Sequence, residues 1–592
     1  MNPTRRRVLQ GLGLVAAGAL SGRLAWLQVA EGPELAAKAK AERTVTWVNR
    51  APRGDITGRD GTVLATSAVS YDLGVNQVKV AQYEQTEERT DPTTGQNETV
   101  VTGHGAVAAA AQIAPVLDVD PQVLGAAMVG DSTYAVIAEN VAPDTWRQIK
   151  ALDIAGVEPD QRTRRVYPAD TVAGNVLGYT FEGPGRVLEG SAGLEYTQNK
   201  VLTGTNGKGS VEVGRTGAII PTGDQSETPA VPGATVRTTL DQDLQLVAQQ
   251  AIDAQVAAMA ADWGIVVVME PGTGKLLVLA DSGAVNPADP TATPDEARRS
   301  RAVEAIFEPG SVGKVVTFAT ALEEGTVTAE QTWTVPYSWT APNGQEFHDS
   351  HDHETLTLTT SEVLKESSNV GTVQIGDTLD DDVRYRYMEQ FGWGTVTGVE
   401  MPAESAGMLI PAADWDGRTR YTTMFGQGVA TTSLQAVQVL ATVANKGVRV
   451  APRVIDAWID PEGVVTEQEQ PENVRVISEA TAATLTDMLV TVTQKGGTAQ
   501  EAAIDGYLVA GKTGTTELIG TDGTVASFAG FLPAKDPAIA VAVVTYHPRH
   551  AIYGGEVSGP VFRKVALAAM HSMGIAPDPA VIAETDPTAP TD

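Results

Sequence analysis

Ser311 and Lys314 stand three residues apart in Phe307-Glu308-Pro309-Gly310-Ser311-Val312-Gly313-Lys314. A serine hydroxyl is a weak nucleophile until a base takes its proton. A lysine can be that base when partly buried, because desolvation disfavours the ammonium and lowers its pKa. Pro309-Gly310 marks a tight turn, and the apolar run over residues 315–322 predicts a helix after it. Ser311 then lies in the first helical turn with Lys314 over the same face. The helix N-terminus adds backbone N–H groups and a positive dipole end. Alone the pair says little, since a capped helix with an exposed lysine has the same residues.

Two more short polar elements follow. Ser367-Ser368-Asn369-Val370-Gly371 comes after a helix-like run at Leu364-Lys365. Lys512-Thr513-Gly514-Thr515 comes after Leu508-Val509-Ala510-Gly511, which reads as a strand. Singly, the first is a turn and the second a strand end. In this order, within one region, they could add a hydroxyl, an amide and a cation to the serine and its base.

Segments this far apart need a fold to gather them. Thr239-Leu240-Asp241 opens a helix with Asp241 as N-cap, and its apolar positions run through Leu244, Val247, Ile252 and Val256. Ile265-Val266-Val267-Val268-Met269 and Leu276-Leu277-Val278-Leu279 flank the turn Pro271-Gly272-Thr273-Gly274. Ser527-Phe528-Ala529-Gly530-Phe531 and residues 539–545 make another strand pair around Lys535-Asp536-Pro537. Helices between these pairs predict an α+β domain, an antiparallel sheet flanked by helices.

The chain's 592 residues are enough for two or three domains. A net charge of −31 argues against a nucleic-acid surface, which needs a basic patch. The absence of cysteine excludes thiol nucleophiles, disulfides and cysteine-ligated metal. Arg5-Arg6-Arg7 precedes an apolar run that, extended through Trp26-Leu27-Gln28-Val29-Ala30, is long enough to span a membrane. We read residues 1–30 as a cytoplasmic tip and signal anchor, N-terminus inside by the positive-inside rule. Cleavage at Ala17-Gly18-Ala19 is the rival reading. Residues 31–228 read as a mixed α/β spacer or interaction domain. Within it residues 80–101 form a polar loop, and 218–235 a Gly- and Pro-rich linker. The site domain covers 229–575, and 576–592 is a disordered tail rich in Pro, Ala, Thr and Asp.

Ser-x-x-Lys, a Ser-x-Asn element and Lys-Thr-Gly together form the signature of penicillin-binding proteins and class A β-lactamases. The resemblance extends beyond them. Arg53-Gly54-Asp55-Ile56 with Arg59-Asp60-Gly61, Arg165-Val166-Tyr167-Pro168 and Gly193-Leu194-Glu195 resemble the pedestal motifs of class B penicillin-binding proteins. Phe391-Gly392, Phe425-Gly426-Gln427-Gly428 and Tyr553-Gly554-Gly555 resemble landmarks of their transpeptidase domain. The flanks of Ser311 and Asn369 are similar to the cell-division type, especially the actinobacterial form. The resemblance implies a penicillin-binding transpeptidase (serine β-lactamase-like) domain behind an elongated pedestal, or dimerisation, domain. It implies a D,D-transpeptidase that cross-links septal peptidoglycan through a serine acyl-enzyme on D-Ala-D-Ala stem peptides and is acylated by β-lactams. Ser311 is then the nucleophile and Lys314 its base. Ser367 relays the proton, and Asn369 holds the substrate amide and orients Lys314. Lys512 and Thr513 bind the terminal carboxylate, and Gly514 lets the strand approach the substrate. The N–H groups of Ser311 and Thr515 form the oxyanion hole. No cofactor is implied. The implied partners are a SEDS-type membrane glycosyltransferase and other division proteins, with the catalytic domain on the wall side of the membrane.

An elongation-type class B enzyme is the nearest alternative. A β-lactamase would need a glutamate to activate a deacylating water, and none stands out. His348-Asp349-Ser350-His351-Asp352-His353 has residue types that can hold a divalent metal. A solvated polar loop accounts for it as well, and no metal is assigned. Glu323-Glu324 and Asp380-Asp381-Asp382 read as solvated charges.

Overall fold

The computed structural model describes residues 3–581 apart from 91, 93, 94, 185, 186, 215–218, 471, 472, 519 and 521. Two compact units emerge, Met1–Pro52 with Gly204–Pro232, and Arg53–Thr203 with Gly233–Asp592.

The first unit opens with helix Pro3–Trp26, a π turn at Leu27–Glu31 and helix Gly32–Arg43. Within Arg7–Arg43 an 18-residue window has mean hydropathy 1.3, long and apolar enough to cross a membrane. Strand Thr44–Asn49 follows directly and pairs antiparallel with Gly207–Glu212, which pairs with Gln225–Thr228. The expected linker at 218–235 therefore contains an edge strand.

In the second unit, a five-stranded antiparallel sheet forms the centre of the site domain. Its strands are β1 (Trp263–Met269), β2 (Leu276–Asp281), β3 (Ala510–Glu517), β4 (Thr524–Leu532) and β5 (Ile539–Tyr546), in the order β2-β1-β5-β4-β3. Alternation along each strand sorts the core into two faces. Val266, Val268, Phe528, Val541 and Val543 pack with Leu244, Ala248 and Ile252 of α1 (Gln242–Met259) and with Phe562 and Val565 near the C-terminus. Ile265, Val267, Phe531, Ala540 and Val544 face the other way, into a core shared with Leu434, Val437 and Leu440. Helix Ser433–Ala444, to which those three belong, is buried at all twelve positions, and its buried amides donate to backbone carbonyls, Gln435 to Thr395 at 2.9 Å and Gln438 to Val450 at 3.2 Å. Asp241 caps α1 as expected, accepting from Leu244 N at 3.0 Å.

The pedestal and the site domain share a sheet. Thr235–Thr238 pairs in parallel with Ile56–Thr57 on one side and antiparallel with Ile455–Ile459 on the other. Long strand Val63–Val75 then pairs with Val157–Val166 from Thr66↔Val166 to Val75↔Val157. The polar stretch read as a loop is instead a hairpin, Glu84–Thr90 with Asn97–His104. It lacks an apolar face, so no alternation betrays it.

The three pedestal motifs meet on one buried carboxylate. Arg53 Nε and Arg165 Nε each donate to Glu195 at 2.6 Å, and all three side chains are nearly inaccessible to solvent. Arg53 also donates to Asn199 Oδ1 at 2.8 Å and Arg165 to the Gly54 carbonyl at 2.8 Å. Tyr167 OH lies 3.4 Å from Glu195 Oε1. The acidic runs are not simply solvated either. Glu323 accepts from Ser478 N at 3.0 Å and from Thr481 Oγ1, tying down the start of helix Glu479–Thr493. Asp381 pairs with the buried Arg384 at 2.5 Å.

The tail reading meets structure at its first residues, where Asp578 N donates to the Gly506 carbonyl at 2.7 Å. Residues 582–592 of that tail lie outside the described residues.

Candidate active site

Ser311 sits in a 3-10 turn, Gly310–Gly313, that runs into α2 (Lys314–Glu323). Its N–H belongs to the first turn, where no intrahelical acceptor exists. The turn is clamped from two sides. Gly310 N donates to the Gly426 carbonyl at 2.9 Å, and Thr516 Oγ1 of β3 donates to the Glu308 carbonyl at 3.1 Å. A Cβ on Gly426, whose φ is +79°, would meet the Gly310 carbonyl oxygen at 2.1 Å, so only glycine allows this approach.

Lys314 is fully buried, and Nζ finds three acceptors. These are the Ser367 carbonyl at 2.5 Å, Asn369 Oδ1 at 2.8 Å and Ser367 Oγ at 3.3 Å. Burial pushes its pKa down to about 7, against a smaller upward pull from the Asp349 carboxylate. Near neutral pH a sizeable fraction is therefore the free amine.

Ser367 ends α3 (Thr360–Glu366) in the left-handed conformation, φ +59° and ψ +33°. Such a backbone costs a non-glycine residue of order 1–3 kcal/mol. It turns both the carbonyl and the hydroxyl of Ser367 toward Lys314. Ser368 caps α4 (Asn369–Gly376), accepting from Gly371 N at 2.9 Å. Asn369 opens that helix and points its Oδ1 at Lys314.

Lys512 lies within β3 rather than after a strand, because β3 runs on through Lys-Thr-Gly to Glu517. As the edge of its sheet, β3 has one side free of strand pairing. Lys512 Nζ donates to Ser367 Oγ at 2.9 Å and to Thr513 Oγ1 at 3.3 Å. Burial, reinforced by the nearby Lys314, holds its pKa well below the ordinary lysine value. Thr515 Oγ1 accepts from Gly554 N at 3.1 Å, which joins the Tyr553-Gly554-Gly555 segment to β3. A Cβ on Gly514 would meet Pro309 O at 2.7 Å and Ser527 Oγ at 2.3 Å, so the glycine admits the Ser311 turn against the strand.

Ser311, Lys314, Ser367, Asn369, Lys512, Thr513, Gly514 and Thr515 thus belong to one continuous site. It offers a half-buried serine, a buried amine one helical turn away and a hydroxyl shared by two lysines. That is equipment for acyl transfer. Sequence reasoning weighed Asp349 only as part of a metal-capable or solvated loop and missed its place beside the site. It is buried, and it accepts from Ser368 Oγ at 2.7 Å, from Val370 N at 2.9 Å and from His353 Nε2 at 3.1 Å. Thr498, 3.1 Å from Thr513 Oγ1, was missed too, and no local signal marks it. Among the described residues no group of three or more His, Asp or Glu side chains is placed to hold a metal ion.

The penicillin-binding protein transpeptidase domain matches residues 264–567, and the penicillin-binding protein dimerisation domain matches residues 48–238. Penicillin-binding protein PbpB of Mycolicibacterium smegmatis is 32% identical over 585 residues, covering 94% of this chain and 89% of that protein. Peptidoglycan D,D-transpeptidase FtsI of Escherichia coli is 30% identical over 588 residues, covering 97% and 92%. The structure of penicillin-binding protein 3 of Mycobacterium tuberculosis complexed with ampicillin superposes with TM-score 0.67 at 26% identity, covering 92% and 99%. With both family domains present in this order and relatives matched nearly end to end, the chain belongs to the class B penicillin-binding proteins.

Proposed function

We propose that the chain is a peptidoglycan D,D-transpeptidase of septal wall synthesis, working through an acyl-enzyme on Ser311. The observation that carries this reading is the Ser367 hydroxyl held between two buried lysines beside the serine turn. Uncharged Lys314 takes the proton of Ser311 Oγ as that oxygen attacks the carbonyl carbon of the penultimate D-Ala. The N–H groups of Ser311 and Thr515 receive the oxyanion, a preorganised donor being worth about 3 kcal/mol. Ser367 passes a proton to the leaving amine, the C–N bond breaks, and terminal D-Ala departs. The amine of a second stem peptide then attacks the ester, and Ser311 recovers its proton. Asn369 holds the substrate amide and Lys314, while Lys512 and Thr513 hold the terminal carboxylate. A β-lactam acylates Ser311 by the same attack. Likeness to the ampicillin complex and to FtsI supports this reading.

The apolar helix near the N-terminus, the one among the described residues long and apolar enough to cross a membrane, supports a single-pass membrane protein, as does likeness to FtsI. We place the chain's N-terminus in the cytoplasm and the rest on the wall side, because Arg5-Arg6-Arg7 precedes the apolar run of that helix. We assign an anchor to 1–30, a pedestal to 31–228, the transpeptidase domain to 229–575 and a tail to 576–592, with a SEDS-type glycosyltransferase and other division proteins as partners. Fluorescent penicillin should label the wild type and not Ser311→Ala. Labelling that survives the substitution refutes the nucleophile, and a tagged copy spread along the side wall refutes the septal assignment.

A further inference from the structure

We infer that His353, held as an imidazolium, is a positioning residue of this site: it fixes Asp349, and Asp349 fixes the start of α4, which carries Asn369. The inference rests on the reading of Ser311 and Lys314 as the acylating pair.

Both ring nitrogens of His353 face acceptors. Nδ1 lies 2.7 Å from the Glu354 carbonyl oxygen, and Nε2 lies 3.1 Å from Asp349 Oδ2. A neutral imidazole has one N–H and one lone pair, and would set that lone pair against an oxygen. Only the cation, with two N–H groups, serves both. Asp349 Oδ2 also accepts from Ser368 Oγ at 2.7 Å, so this oxygen faces two donors. Ser368 Oγ in turn accepts from Gly371 N at 2.9 Å, which directs its own proton to Asp349.

From Asp349 the chain of contacts reaches the base. Asp349 Oδ1 accepts from Val370 N at 2.9 Å, one of the N–H groups at a helix start that lack an intrahelical partner. Asn369 stands between Ser368 and Val370, so both its neighbours are tied to Asp349. Its Nδ2 donates to the His348 carbonyl at 3.3 Å and its Oδ1 accepts from Lys314 at 2.8 Å. The loop therefore grips Asn369 from the side opposite Lys314.

The groups facing His353 favour a cation. The Glu354 carbonyl raises its pKa most, followed by the Asp349 and Asp352 carboxylates. Tyr337 stands edge-on to the ring at 6.1 Å, with His348 at 5.8 Å from that tyrosine. Lys314 feels the same carboxylate. Loss of the His353 proton removes the positive partner of Asp349. The carboxylate then acts on Lys314 less opposed and favours its charged, unreactive form, while the loop loses one anchor.

The test uses the full-length chain in detergent. Acylation by a fluorescent penicillin is followed against pH for the wild type and His353→Gln, and histidine ¹⁵N shifts are read on the wild type. We expect acylation of the wild type to rise as Lys314 loses its proton and to fall again where His353 loses its own, its pKa being raised by the Glu354 carbonyl and by Asp349. His353→Gln keeps a polar side chain without the charge. It should acylate about tenfold more slowly, a small displacement of a catalytic group being enough for that, and it should lose the falling limb. At pH 7 both His353 nitrogens should be protonated. A wild-type rate or an unchanged pH profile in His353→Gln overturns the inference, as does a neutral His353 ring at pH 7. The spectrum decides alone if the variant does not fold. Labelling of Ser311→Ala would instead refute the acylation reading and leave the His353 spectrum intact.

Discussion

Lys314 and Lys512 share one hydroxyl. Both side chains are fully buried, and their Nζ atoms lie 3.3 and 2.9 Å from Ser367 Oγ. Two full positive charges on one hydroxyl would repel strongly, and burial of both lysines already disfavours each. The pair therefore lowers its charge, with Lys314 at about 7. Acylation needs Lys314 as the free amine, so its rate should climb with pH, by about tenfold per unit well below that value, and flatten near it before the fall that loss of the His353 proton brings. Stopped-flow acylation with a chromogenic cephalosporin reads the profile directly. A rate flat from pH 5 to 8 would contradict the assignment of Lys314 as base.

Removing the buried amine should separate stability from activity. Lys314→Met keeps length and apolar volume and takes a costly group out of the interior. It leaves the Ser367 carbonyl and Asn369 Oδ1 without their donor, which offsets part of the gain. We expect a thermal midpoint within a few degrees of the wild type or above it, and acylation reduced by about a thousandfold or more. A variant with a much lower thermal midpoint that still acylates at the wild-type rate below it would mean that the lysine is structural.

Ser367 carries two separable burdens, a hydroxyl and a left-handed backbone. Ser367→Ala and Ser367→Gly both delete the hydroxyl, and both should slow acylation by about a hundredfold. Only glycine relieves the backbone, so Ser367→Gly should be more stable than Ser367→Ala by about 1 kcal/mol. Equal stabilities would show that the αL turn is not what Ser367 contributes to the fold.

The site motifs were legible because each is local: Ser311 with Lys314, Ser367 with Asn369, and Lys512 with Thr513 sit within one turn or one strand. The α+β class was legible from strand alternation and from the cap at Asp241. What stayed hidden are relations across sequence. Asp349 meets Ser368 and Val370 from 19 and 21 residues away, and its own neighbours read as a polar loop. That Gly514 leaves room for Pro309 and Ser527 was hidden too, because a sequence does not say which way a missing Cβ would point. Glu195 meets Arg53 across 142 residues. That last relation is testable: Glu195→Ala leaves two buried guanidinium groups unpaired, which costs about 3–5 kcal/mol. Thermal unfolding should show a large downward shift, while Arg53→Met with Arg165→Met and Glu195→Leu together should recover much of it.

The absence of cysteine gives a direct route to membrane orientation. Any cysteine introduced is the only thiol in the chain, so labelling reports one position. Val107 is 76% exposed on helix Gly105–Leu117 of the pedestal, and a thiol there is open to solvent without disturbing a core. If Arg5-Arg6-Arg7 keeps the N-terminus inside, Val107→Cys should react in intact cells with a maleimide that cannot cross the membrane. Asn2→Cys should react only after the cells are opened. The reverse pattern would place the acylating serine in the cytoplasm, away from any wall peptide. Reaction of both positions in intact cells would mean that the N-terminal helix does not span the membrane.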